Sequence, residues 1–543
     1  MKKHNASKVV LITILVFLLL TWILPAAYYS SEYVDQGRVQ MGFFDLFNYP
    51  LTSLSYFGYI AFFLILVGGF YGVLYKIPAY RSFLDKIVGT FKGHEKWVLS
   101  VIAVVVAVLV SICGVQVGIA LFIPFIVSLV LLMGYDKIVA AFVTVGSIAA
   151  GLIGCTYASG NTSLLFGALS LDKKNNYPII VRFAILAGCL ALLIVYMLLY
   201  IKHHSAGVKI EKKTVRKVED EDFKEKVVEE KIEVAKKSSS TSKKSSNNSS
   251  KKSKSTGKKN TKKSSSKSRR SDNKAALKEE DIIVVKESMM EEDLVPKAVA
   301  RNHRVWPFVV TFSLLFVLFV LAFIPWSSFG VTLFDDVTKA VQDFTLFKFP
   351  IFAKVLGNVN SFGNWTITDL FFPMAFAATL LGLLYNLSFK DAYEGFVEGA
   401  KKALAPAVIV ILLYTVLVLV TYHPFQLVIY KFILGLFKGF NVATTAIVAF
   451  LAGVFNVDIS YSFQSIVPYY ASVVTNVENF KVSAVIFQTM YGLTLLVAPT
   501  SLTLMATLAY LDIPYKTWLK NTWKFIIGVF VVLLILFIIL ALI

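Results

Sequence analysis

The chain has 543 residues, of which 57% are hydrophobic and only 16% charged, and its formal net charge is +20 at pH 7. Soluble domains average about 45–50% apolar and about 25% charged residues, so a string of soluble domains is excluded. Residues 203–304 hold 28 Lys+Arg and 17 Asp+Glu, a local net of +11, so over half of the charge sits in one segment and gives no argument for nucleic-acid binding. The rest is apolar and reads as an all-α polytopic membrane protein.

A helix needs about 20 apolar residues to cross a ~30 Å hydrocarbon core. In chain order, clear candidates fall at 9–28, 54–75, 177–202, 305–326, 365–388, 405–423 and 518–542. The first follows Lys2, Lys3 and Lys8 as a signal peptide would, but it is longer than a signal core and more spans follow at once. Stretches 79–93 and 389–402 are amphipathic and are expected to lie along the cytoplasmic face as scaffold. Two longer apolar stretches, 97–171 and 442–511, are interrupted by Gly, Pro, Asn and Ser.

Basic residues set the orientation. Lys2, Lys3 and Lys8, the cluster Lys76 to Lys96, residues 203–304, Lys390, Lys401, Lys402, Lys516, Lys520 and Lys524 can all be cytoplasmic on one path, with the C-terminus outside a plasma membrane. Residues 1–202 and 305–543 thus form two membrane halves. Between them, 203–304 reads as a disordered cytoplasmic linker, because Lys236 to Ser271 uses only Lys, Arg, Ser, Thr, Asn and Gly.

Nothing reads as an enzyme. Cys113, Cys155 and Cys189 lie in apolar runs without a CxxC pair, the six His form no HExxH, and Gly257-Lys258 lacks the spacing of a phosphate loop. No organic cofactor is expected.

The two broken stretches resemble one another. The first runs from FLDKIVGTFKG (83–93) past Gly114 and Pro124 to GNTSLLFGA (160–168); the second runs from YKFILGLFKG (430–439) past Asn456 and Pro468 to APTSLTLMA (498–506). Counting spans, the first unit begins inside and the second outside, which makes them inverted repeats, a build known in secondary transporters. Each unit contains a candidate re-entrant hairpin, turning near 113–118 and 456–464, with limbs of about 13–17 residues that fall short of a crossing. Each then contains a broken helix. Ala158 to Ser163 interrupts 138–171, and Ala498 to Ser501 interrupts 479–511.

Backbone opened at mid-membrane must lie within protein or line a wet cavity. Half-helix N-termini there attract anions, while freed carbonyls and hydroxyls ligate small cations. Asn161, Thr162, Ser163, Pro499, Thr500 and Ser501 are therefore the candidate solute contacts, and the carbonyls at Gly160 and Ala498 are candidate ion contacts. Asp458 is the one carboxylate placed deep in the membrane and joins the ion set; Gln488 and Asn456 are weaker polar candidates. A kink satisfied by Ser/Thr back-bonding is the alternative at each break.

The stretch FQTMYGLTLLVAPTSLTLMATLAYLDIPYKTWLK (487–520) resembles the ion transporter superfamily, closest to the branch of C4-dicarboxylate anaerobic carriers and basic amino acid antiporters, neighbours of the aminobenzoyl-glutamate and short-chain fatty acid transporters. TWILPA (21–26), MGYDKIVAA (133–141), GNTSLLFGAL (160–169) and Arg182 match more loosely. The resemblance implies an elevator-type secondary carrier, a homodimer coupled to Na⁺ or H⁺. It also implies that Ser460-Tyr461-Ser462-Phe463-Gln464 stands for the family's Ser-Gly-Ser-Gly-Gln hairpin, which makes Ser460, Ser462 and Gln464 candidate solute contacts. Tyr461 and Phe463 replace its glycines, and Val117-Gly118 stands where an acidic pair is expected in the first hairpin.

The expected function is secondary active transport of an amino acid or carboxylate, coupled to a cation gradient or exchange. The competing class is a transport-deficient membrane scaffold whose basic linker recruits partners or lipid.

Overall fold

The computed structural model describes residues 5–171, 179–204, 294–296, 304–357 and 359–542, with backbone only at 5, 159–162 and 356. Most of the expected linker, 205–293, lies outside the described residues. Among those described, seven helices are long and apolar enough to cross a membrane.

The first, α1 (Asn5–Ile23), is apolar on all sides and ends ahead of Pro25. A short hairpin follows, β1 (Ala26–Tyr29) and β2 (Tyr33–Gly37), fixed by Ala27 N–H donating to Pro424 O at 3.1 Å. This hairpin is too short and polar to stand out in the sequence. Next come α2 (Asp45–Lys76) and the amphipathic α3 (Pro78–Thr90), separated by one extended residue, Ile77, ahead of a proline that starts α3.

The first repeat begins with a helical hairpin, α4 (Glu95–Cys113) and α5 (Ile123–Leu132), which turns through left-handed Gly114 and a 3₁₀ segment, Gly118–Leu121. Then α6 (Lys137–Ile153) carries a π-helical turn at Phe142–Gly146, and α7 (Ser159–Ala168) and α8 (Ile179–His204) complete the unit. Beyond the linker, α9 (Trp306–Phe323) spans. The following segment holds α10 (Leu333–Asp343) and α11 (Ile351–Leu356).

The expected span 365–388 is helical only over α12 (Phe371–Leu384). The expected surface helix 389–402 is a correction: it is continuous with the next span in one 34-residue helix, α13 (Phe389–Tyr422). Two causes are visible. Lys401-Lys402-Ala403-Leu404-Ala405 are strong helix formers that carry the helix through Pro406. In addition, α13 packs along α2 by backbone contact. A Cβ on Gly72 would run into Gly395 O, and one on Gly399 into Gly68 O, so each helix offers a Gly-x-x-x-Gly face.

The second repeat follows α14 (Gln426–Leu434). Its hairpin is α15 (Val442–Phe455) and α16 (Ile459–Val473), its broken helix is α17 (Glu478–Thr494) and α18 (Leu502–Leu511), and α19 (Tyr515–Leu542) ends the chain. Between the hairpins lie three of the span-length helices, α8, α9 and α13, together with the shorter apolar helices α6 and α12; α4, the first limb of the first hairpin, is itself 19 residues and span-length.

Candidate functional site

The second break lies where the sequence placed it. After Thr494 the chain leaves the helix over 495–501, and Ser501 caps α18 by accepting the Leu504 N–H at 3.3 Å. Four carbonyls freed there are filled from within. Leu495 O accepts from Ser501 Oγ, Leu496 O from Trp518 Nε1 at 2.8 Å, Val497 O from the Tyr515 hydroxyl, and Ala498 O from Ser501 N–H. Thr500, fully buried, donates to Val454 O at 2.6 Å and ties the break to the end of α15.

The first break is displaced from its expected place. Residues 154–158 are non-helical, and Ser159 to Ser163 are already inside α7. Gly160, Asn161 and Thr162 thus occupy the first turn of a half-helix rather than the opening; Ser163 follows them, half-buried. The reason lies in partners remote in sequence. Ser111, at the end of α4, donates to Gly154 O at 2.6 Å, and the Thr156 N–H donates to Ser111 O at 2.9 Å. Arg182, buried on α8, donates to Thr156 O at 3.0 Å. Thr156 Oγ1 also donates to Ser111 O at 3.2 Å. Thr156 is therefore the counterpart of Thr500: each hydroxyl binds a carbonyl at the end of the first hairpin limb of its own repeat.

The two breaks adjoin. α6 packs on α17, and a Cβ on Gly492 would stand 2.5 Å from Ile153 N, which leaves room only for glycine. Gln488 on α17 donates to Leu152 O at 3.0 Å, while its Oε1 is buried and has no hydrogen-bond partner among the described residues.

Both hairpin tips converge on Tyr491, three residues farther along α17. Gln116, in the first tip, donates to the Tyr491 hydroxyl at 3.3 Å. Asp458, in the second, lies within electrostatic reach of Tyr491 and of Tyr59 on α2 and Tyr414 on α13. Asp458 is half-buried and caps α16, accepting the Ser460 N–H at 2.7 Å. Asn456, buried beside it, donates to Ala452 O at 3.0 Å.

The second turn is confined to 456–458. Ser460, Ser462 and Gln464 therefore stand on the first turns of α16, not in a loop. Ser462 is buried and donates to Ala452 O at 3.2 Å, whereas Gln464 is exposed. The aromatic departures are also helical. Phe463 packs edge-on against Phe487 and Tyr491, and Tyr461 lies edge-on to Phe57 of α2. α7, which carries Asn161 to Ser163, packs on α16 and α17, so its first residues belong to the same neighbourhood.

A separate half-open cavity lies between α2 and α13 on one side and α5 and α18 on the other. Tyr71, Tyr75, Lys402, Thr507 and Tyr510 supply its polar groups, and none of the sequence-predicted contacts line it. The residues missed from sequence are Ser111, Gln116, Thr156 and Tyr491. Only buried Arg182, a charge inside an apolar span, carried a signal in the sequence.

A family model described as the C4-dicarboxylate anaerobic carrier matches residues 5–251 and 280–542. Among solved structures the chain is similar to the YdaH transporter of Alcanivorax borkumensis, at 12% identity over 98% of this chain and 97% of that one with a TM-score of 0.38. It is also similar to MtrF of Neisseria gonorrhoeae, from a class of antimetabolite efflux pumps, at 11% identity over 98% and 94% with a TM-score of 0.34. No curated protein matches. With both membrane halves inside the family match, this multi-pass membrane chain belongs to the C4-dicarboxylate anaerobic carriers.

Proposed function

We propose that the protein is a secondary active carrier for a small carboxylate or amino acid, driven by a Na⁺ or H⁺ gradient or by exchange, and acting as a homodimer in the plasma membrane. The observation that carries this reading is the meeting of the two hairpins at Tyr491, which Gln116 of the first bonds and Phe463 of the second packs against, beside two adjoining helix breaks. In this reading the amide ends of α7 and α18, near Asn161–Ser163 and Pro499–Ser501, attract the solute carboxylate. Ser460 and Ser462 add hydroxyls from α16, with Gln464 at its exposed edge. Gln488 Oε1 supplies a buried acceptor.

The ion contact falls to Asp458. Gly160 lies within α7, and Ala498 O already accepts from Ser501. The family's name makes four-carbon dicarboxylates the first solutes to test, with amino acids beside them.

Purified protein in proteoliposomes should take up one of these solutes saturably under an imposed Na⁺ or pH gradient. Uptake should fall at least tenfold in Asn161→Ala and Thr500→Ala. Rates unchanged in both variants would sink the assignment of these sites. Deleting 236–271 should leave uptake intact, whereas a scaffold acting through its linker would lose its partner.

A further inference from the structure

Leu294, Val295 and Pro296, just before the second membrane half, are packed into the protein. Leu294 is 7% exposed and belongs to the apolar core, with Val295 against it. The Leu294 carbonyl accepts two hydroxyl donors, Tyr75 at 3.1 Å and Ser128 at 2.8 Å. The Pro296 carbonyl accepts Arg81 Nη1 at 2.7 Å, and Arg81 is itself held by Asp85 at 2.9 Å. A carbonyl has two lone pairs, and at Leu294 each meets its own donor.

The donors come from different bodies. Tyr75 and Arg81 belong to α2 and α3, and α2 is pinned to α13 through the glycine faces. Ser128 belongs to α5, the returning limb of the first hairpin. The cavity lies between these same bodies. Tyr75 lines it on one wall with Lys402, whose Nζ stands 5.6 Å from the Tyr75 ring centroid, and Ala120 and Ile123 line it on the other. One backbone carbonyl thus joins α2, through the cavity-lining Tyr75, to α5, which carries Ser128 and the opposite wall's Ile123.

We propose that Leu294–Pro296 is a latch: it holds the first hairpin against α2 and α3, closes the cavity at that end, and lets the cavity open when it is released. A carbonyl shared between neutral hydroxyls suits such a device. Each bond adds a small net stability, so the pair shifts the closed population by roughly tenfold while remaining breakable. The latch rests on the carrier reading only for its consequence, that hairpin movement during transport requires it to open.

The test uses the full chain with Ala120→Cys as a reporter on the cavity wall, labelled in detergent with a bulky polar maleimide and compared with the parent chain. Tyr75→Phe/Ser128→Ala should raise the labelling rate about tenfold. Arg81→Ala, at the protein surface, should raise it less but in the same direction. Labelling unaltered in Arg81→Ala and in Tyr75→Phe/Ser128→Ala overturns the latch, and if the double variant does not fold, Arg81→Ala decides alone. Raised labelling without any solute uptake leaves the latch standing and counts only against the carrier reading.

Discussion

Thr500 donates its hydroxyl hydrogen to Val454 O at 2.6 Å, fastening the helix break of the second repeat to the hairpin that precedes it. Thr156 makes the corresponding bond to Ser111 O at 3.2 Å in the first. Break and hairpin in each repeat are therefore one bonded unit, and the pairing of these threonines, not of Thr162 with Thr500, sets the internal register.

Thr500→Val should leave the Val454 carbonyl buried without this donor and cost about 1–3 kcal/mol, while Thr500→Ser should cost less than about 1 kcal/mol. Thermal unfolding of the solubilised chain checks this. Thr156→Val should behave alike if the two sites are equivalent, and a stability loss in only one of them would break the equivalence.

Tyr491→Phe and Gln116→Ala remove the two ends of one bond between a hairpin tip and a broken helix. Each should raise the KM for uptake about three- to tenfold, and the double variant should be no worse than the poorer single. Additive losses would show that the residues act independently.

Asp458→Asn keeps a good helix cap but removes the charge. Folding should shift by less than about 0.5 kcal/mol, while uptake loses its dependence on the coupling cation. Retained cation dependence, measured across a Na⁺ or pH titration, would remove Asp458 from the coupling site.

Phe463 is 2% exposed, between Phe487 and Tyr491. Phe463→Ala should destabilise by about 3–5 kcal/mol, whereas Tyr461→Ala, at the more exposed position, should cost far less. Equal losses in an unfolding experiment would refute this division. The aromatic residues are tolerated because both lie within α16, past the turn, where no left-handed backbone is needed.

Much of the architecture could be read from apolar run length and its interruptions: most spans, the second hairpin and the break at Pro499, whereas α4, expected as a hairpin limb of 13–17 residues, is a span-length helix of 19. What failed depended on distant partners. Gly160-Asn161 looked like the first break, but the chain opens at 154–158 because Ser111 and Arg182 bond Gly154 and Thr156 from other helices. Gln116 and Tyr491 looked like ordinary residues of apolar segments until the fold brought them together. α10 and α11, of 11 and 6 residues, are too short to give a span-length signal.

The glycine faces of α2 and α13 belong to opposite halves of the sequence, so the halves are held by direct contact and not by the polypeptide between them. Cells making 1–235 and 272–543 as separate fragments should therefore yield a complex that copurifies. A bulky residue at Gly399 should prevent this complementation although neither fragment is shortened.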